Sequence, residues 1–341
     1  MKYFKARTCL VGSFVLGAAA PAFAQSNVTV YGVADAYVQF GKGDSTTTRL
    51  ESGGESGSRL GFRGSEDLGG GLSAMFKIET GIGLDTGTVT QGGRMWGRQA
   101  LVGLGGSFGS VSLGRQYTPH FSVIDDADPF GTGAGSAASS GIVSILATRA
   151  NNSAVYSAPK FGPVSVTLLG SLGEGAAGRF YSASIQYSAN KLDAGLAFAR
   201  QDHFAAGEVN ATAVILTGAY DFGPFKVTGG VQSVKNLTLA ANTADDRREL
   251  FGGVIVPIGP GTLTAGVGTG KTKNVAGTKA TQFSLGYDHA LSKRTNLYTI
   301  ATAISNGSAT AYTADAATGS GPSVSAGNDV RALLIGVRHR F

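Results

Sequence analysis

The chain is 341 residues long and 42% hydrophobic, yet only 15% of it is charged and 53 residues are glycine, a balance foreign to an ordinary water-soluble globule. Its formal net charge is +6, and three of the cations, Lys2, Lys5 and Arg7, stand together at the start, so about +3 remains for the rest, too little to suggest a nucleic-acid-binding surface. Beyond the first two dozen residues no apolar run approaches the ~20 residues that a transmembrane helix needs.

The basic start, the apolar stretch from Cys9 to Ala20 and the small-x-small site Ala22-Phe23-Ala24 are the three parts of a secretory signal peptide. Residues 1–24 are therefore expected to be removed, leaving residues 25–341 as one exported domain. Cys9 is the sole cysteine, so the mature domain has no disulfide and no thiolate metal site.

From there a period of two takes over. Val28, Val30, Gly32, Ala34, Ala36, Val38 and Phe40 alternate with Thr29, Tyr31, Val33, Asp35, Tyr37 and Gln39, which puts a lipid-compatible and a water-compatible set on opposite faces of a strand. The same alternation sets Leu60 and Phe62 against Arg59 and Arg63. It sets Leu72, Ala74, Phe76 and Ile78 against Ser73, Met75, Lys77 and Glu79, and Phe283, Leu285 and Tyr287 against Gln282, Ser284 and Asp288. Seven short turns, near 66–71, 105–109, 160–163, 188–191, 221–224, 257–261 and 288–295, separate longer polar connections. The latter lie near 41–57, 81–93, 117–151, 170–181, 201–211, 233–247, 268–279 and 305–329. These connections divide the chain into sixteen strands. Short turns on one rim and long loops on the other predict an all-β, antiparallel transmembrane barrel, closed because its first and last strands can pair.

Several stretches resemble the trimeric general porins of Gram-negative β-proteobacteria and neisseriae. They are Val30-Tyr-Gly-Val-Ala-Asp35, Ser58-Arg-Leu-Gly-Phe-Arg-Gly-Ser-Glu-Asp-Leu-Gly69, Val102-Gly-Leu-Gly-Gly-Ser-Phe-Gly109, Leu113-Gly-Arg-Gln116, Asn152-Ser-Ala-Val-Tyr156, Leu291-Ser-Lys-Arg-Thr295 and Gly336-Val-Arg-His-Arg-Phe341. Ala154 stands where that family usually has Val. The resemblance implies an outer-membrane location, a sixteen-stranded barrel, a homotrimer set among outer-membrane lipids, and passive diffusion of small hydrophilic solutes and inorganic ions. It also implies that Phe341 is read by the outer-membrane assembly machinery, and that the longest connection, 117–151, folds into the lumen and narrows it.

A pore sorts ions by width, fixed charge and the dielectric of its walls. Alternation turns Arg59, Arg63 and Lys77 inward; Arg98 sits near the start of the next strand, where alternation is less clear because Trp96 shares parity with Arg94 and Arg98, and Arg149 comes just before the strand after the longest connection. The resemblance places Arg59, Arg98 and Arg149 in the arginine cluster of a constriction, with Arg63 and Lys77 adding positive charge below; pairing with acids such as Glu79 is the other use for these cations. Asp125, Asp126 and Asp128, in the long connection, are expected opposite. Weak anion selectivity follows, because arginine is charged at any working pH and its long side chain reaches further into the path than aspartate's. The alternatives are a substrate-specific channel and an adhesin-type surface barrel. Catalysis is not expected: His120, His203, His289 and His339 are scattered, and no HExxH, GxSxG or metal-ligand spacing occurs. No cofactor is expected either.

Overall fold

In a computed structural model the chain is described over residues 27–174, 178–202, 210–238, 244–315 and 321–341. The signal-peptide segment and His203 lie outside the described residues. The strands are β1 (Asn27–Lys42), β2 (Thr46–Ser52), β3 (Arg59–Gly69), β4 (Leu72–Gly83), β5 (Thr88–Val89), β6 (Gln99–Gly106), β7 (Gly109–Tyr117) and β8 (Arg149–Ser157). They continue as β9 (Val164–Ser171), β10 (Phe180–Ala189), β11 (Leu192–Gln201), β12 (Ala211–Asp221), β13 (Lys226–Thr238), β14 (Ala244–Ile258), β15 (Gly261–Thr272), β16 (Ala280–Ala290), β17 (Thr295–Asn306) and β18 (Val330–Arg340).

All eighteen belong to one sheet, and β1 pairs with β18 from Val33↔Arg340 to Lys42↔Arg331, which closes the ring. Both β2 and β3 pair with β1 and share one place in the wall, while β5 is a two-residue spur on β4. The wall therefore has sixteen places. Closure leaves no sheet edge, the condition for backbone polar groups to survive in hydrocarbon.

The expected connection 41–57 was too long: β2 lies inside it. The real interruption is 53–58, and one buried carboxylate holds it. Asp35 accepts the backbone N–H groups of Gly54, Glu55 and Ser56 at 3.1, 3.0 and 2.8 Å and the Tyr298 hydroxyl at 2.6 Å. These donors replace the ladder partners that the strand gives up.

The two faces follow the alternation. Val30, Phe40, Val102, Leu113, Val231, Phe283 and Ile335 are exposed on the outside, where hydrocarbon would cover them, whereas Asp35, Gln39, Glu79, Gln232 and Gln282 are buried. Burial of polar groups inside a barrel needs a filling, and the connection between β7 and β8 supplies it. It starts as a helix, Pro119–Ala127, with the Thr118 side chain accepting the Phe121 N–H and a proline in the first turn, both regular helix-start devices. The Thr118 hydroxyl and N–H reach back to the carbonyls of Ala147 and Thr148, which ties the two ends of the connection into a neck.

From this neck the connection lies along the polar face of β10–β17. Ala127 O accepts from Thr228, Gly135 O from Gln282, Ser144 O from Gln232 and Ile142 O from Arg247; Ser144 donates to Glu249 through both N–H and hydroxyl. Val123, Ile124, Ala137 and Ile142 pack against Ile215, Phe251, Ile300, Ile304 and Leu334, so the apolar core lies inside the barrel, between loop and wall. The wall is thinned to receive it: a Cβ on Gly268 would stand 2.1 Å from that of Ala137, and one on Gly195 2.9 Å from Val123 Cγ1. Part of the glycine content is thus clearance for an internal segment.

Candidate pore constriction

A polar opening of about 470 Å³ remains where the infolded connection leaves the wall bare. Arg59, Arg98, Arg149, Tyr117 and residues of the 53–58 interruption line one side; Phe121, Asp125, Asp126 and Thr132 line the other. Strand geometry delivers Arg59 from β3, and Tyr117 and Arg149 arrive as cross-strand partners at the ends of β7 and β8.

Arg98 arrives differently. The regular strand β6 begins only at Gln99, so parity does not bind the residues before it. Trp96 packs edge-on against Phe62 at 6.2 Å on the outer face. Arg98 turns to the lumen side, donating from Nε to Glu79 at 2.8 Å and from Nη2 to the Tyr117 hydroxyl at 2.7 Å. Arg149 Nη2 donates to the same hydroxyl at 2.6 Å, and its guanidinium lies 4.3 Å from the ring centroid. Tyr117 in turn stacks on Phe121 of the loop helix at 5.1 Å. One phenol therefore aligns two guanidinium groups and joins them to the loop. No charge marks Tyr117 in the sequence, and the expected site lacked it.

Glu79 is the wall's acid. It is 2% exposed, accepts the Tyr31 hydroxyl at 2.7 Å, binds Arg98, and has Lys77 Nζ at 3.9 Å. Among the described residues the Arg59 side chain has no hydrogen bond or salt bridge, so its charge is left for the opening. Arg63 and Lys77 are inward, as parity requires, but lie away from this opening, over the Tyr31 ring at 5.2 and 5.6 Å. Glu55 also lines the opening but is matched by Arg338 at 3.1 Å. Asp315, buried at the same opening, accepts the Tyr37 and Ser139 hydroxyls.

The three loop acids separate. Asp125 is half-buried and accepts the Thr132 hydroxyl at 2.5 Å; burial pushes its carboxyl above the ordinary carboxylate range, although Thr132 opposes the shift. Asp126 is exposed and accepts from Gln186 of β10 at 2.8 Å. Asp128 does not face the opening, contrary to the expectation. It is 7% exposed and accepts the Phe130 N–H and the Ser136 hydroxyl, closing the turn after the helix. Burial pushes its carboxyl up to about 6. Phe341 lies at the outer face, its N–H and carbonyl paired with Gly32 and its ring over the Cα of that glycine, where a Cβ would come within 2.3 Å.

A closed barrel of sixteen places, narrowed by its own loop to a charged opening, is the architecture of a diffusion channel, and the family model for Gram-negative porins matches residues 9–309. The chain belongs to the Gram-negative porin family. The outer membrane porin protein 32 of Delftia acidovorans is 32% identical over 357 residues, covering 97% of this chain and 99% of that protein. The major outer membrane protein P.IB of Neisseria gonorrhoeae is 39% identical over 110 residues, 30% of each chain. Among solved structures, the anion-selective porin from Comamonas acidovorans superposes with a TM-score of 0.83 at 30% identity, covering 93% of this chain and all of that one. This porin is thus an outer-membrane barrel for passive diffusion of small hydrophilic solutes, and both family and fold are those of channels.

Proposed function

We propose that this porin prefers anions weakly to moderately, and that Arg59, Arg98 and Arg149 are the basic wall of its constriction, with Asp125 and Asp126 opposite and Arg63 and Lys77 adding positive charge along the path. The observation that carries the reading is the segregation of charge at the opening: guanidinium groups gather on the wall side, while the facing Asp125 and Asp126 are held by the Thr132 hydroxyl and the Gln186 amide. Glu79 partners Arg98, Arg338 partners Glu55, and among the described residues Arg59 and Arg149 are left without a carboxylate partner. The solved relative named as anion-selective, similar over nearly the whole chain, supports it. In a narrow path walled by low dielectric, unpaired cations raise the local anion concentration. The preference shrinks as salt rises, because the screening length is ~10 Å at 0.1 M.

Reversal potentials in a salt gradient across a planar bilayer test this. R59Q/R98Q should move the reversal potential toward cations; an unchanged value would place selectivity elsewhere.

The same reading assigns the mature protein to a homotrimer packed through apolar residues of the first and last strands. Removal of residues 1–24 and an assembly role for Phe341 belong to it as well. A heat-labile oligomer band, the mass of the mature chain and the surface level of a variant lacking Phe341 are the respective checks; a monomer, an intact leader or undiminished surface protein would overturn each.

A further inference from the structure

The outer face of β12–β16 carries charge where a lipid-facing wall is expected to be bare. Arg248 of β14 stands directly across from Lys271 of β15. The next pairing in register, Gly270↔Ala280, brings Lys279 up beside Lys271. All three are exposed, and none of their side chains has a hydrogen bond or ion pair among the described residues. Neighbouring strands are ~4.8 Å apart, so three cations on adjacent strands span roughly 10 Å at the backbone, a spread that long Lys and Arg side chains can close onto one phosphate.

Their surroundings explain why the charges stay unpaired. Glu249, next in sequence to Arg248, points into the barrel and is taken by Arg247 and Ser144. Asp246, two residues on along the same face, accepts the Asn236 N–H. Away from the row the same face is apolar: Val214, Leu216, Val231 and Leu250, all exposed, form with Ser233 and Thr269 a groove of about 640 Å³ that ends at Arg248, Lys271 and Lys279. The row lies at the rim of the long connections, opposite the short turns that join Asp221 to Lys226 and Ile258 to Gly261. In outer-membrane barrels the long connections face outward, so the cations sit at headgroup height in the outer leaflet.

We propose that this groove binds a phosphorylated lipid of the outer leaflet, with the phosphate on Arg248, Lys271 and Lys279 and an acyl chain along Val214, Leu216, Val231 and Leu250. A lone cation at this height merely reaches for water. Three in register, with an apolar trough leading away from them, match the two halves of an anionic lipid.

The test uses the folded full-length porin in uncharged detergent and a bis-phosphorylated, acylated glucosamine disaccharide as probe, with bound lipid counted by native mass spectrometry. R248Q/K271Q/K279Q should bind about 100-fold more weakly, given the energy of each cation near an anionic surface. K160Q/K191Q, neutral at the opposite rim, should bind like the parent. The dephosphorylated probe should bind the parent poorly, and inorganic phosphate at equal concentration should not displace the lipid. Equal binding by the triple variant, equal binding of the dephosphorylated probe, or displacement by inorganic phosphate would each overturn the proposal. So would a changed oligomeric state of the triple variant, which would make the row a contact between copies. If the triple variant does not fold, R248K/K271R must retain the lipid, and binding to the parent must fall with added salt; failure of either overturns the proposal.

Discussion

Replacing Glu79 by glutamine separates the charge of the basic wall from its shape. Glutamine keeps an oxygen for Arg98 Nε, which now donates to Glu79 at 2.8 Å, and an amide group beside the Tyr31 hydroxyl, so the arginine stays in place while one negative charge disappears. An ion passing about 6 Å away in a water-like dielectric feels roughly 0.7 kcal/mol from a unit charge, about a threefold change in its local concentration. Anions gain and cations lose, so the anion-to-cation permeability ratio should rise about three- to tenfold at low salt, and less where screening is stronger. The barrel should also lose about 1–3 kcal/mol against denaturant, below the 3–5 kcal/mol of a wholly broken buried pair, because Arg98 keeps its bond to Tyr117. Reversal potentials measured at several salt concentrations give the first quantity, and urea titration of protein in lipid vesicles gives the second. If E79Q leaves the reversal potential unchanged or shifts it toward cations, Glu79 does not offset the arginines and the assignment of the wall fails.

Three further outcomes follow from the same geometry. Y117F should loosen both Arg98 and Arg149, lowering anion preference up to about twofold with greater current noise while net charge is unchanged; an unaltered single-channel record would show that the phenol aligns nothing. G268V drives a side chain into Ala137 and should displace the loop from the wall, raising unit conductance; conductance at or below the parent's would contradict docking at that point. The Asp125 carboxyl lies above the ordinary range, so as pH falls from about 7 it takes up a proton before ordinary carboxylates do, while the arginines keep their charge. Anion preference should therefore rise on acidification, and a fall would refute the sign.

Alternation was enough to read the wall because lipid and water demand opposite residues on its two faces. It separated Arg59 and Arg63 from Leu60 and Phe62. It failed where the backbone leaves the ladder: Arg98 and Trp96 share a parity but face opposite ways, since β6 begins after both. Composition marked Asp125, Asp126 and Asp128 as one acidic run, yet only local folding decides that the third is enclosed by Phe130 N–H and Ser136. The 53–58 interruption was illegible for a related reason. What sustains it is Asp35, from another strand, and no spacing within the segment announces that.

Asp35 also bears on the order in which the pore comes into being. Its carboxylate holds residues 54–56 and also accepts the hydroxyl of Tyr298, 263 positions away in β17, which comes within reach because β18 brings β17 round to β1. Gly54, fixed in this way, offers its carbonyl to Ala134 at 2.7 Å and so receives the far end of the loop. Contacts of such sequence separation form late, after the entropy of the large intervening loops has been lost. Narrowing is then a consequence of barrel closure: an unclosed intermediate has no finished constriction, and the small opening certifies that the last strand has met the first.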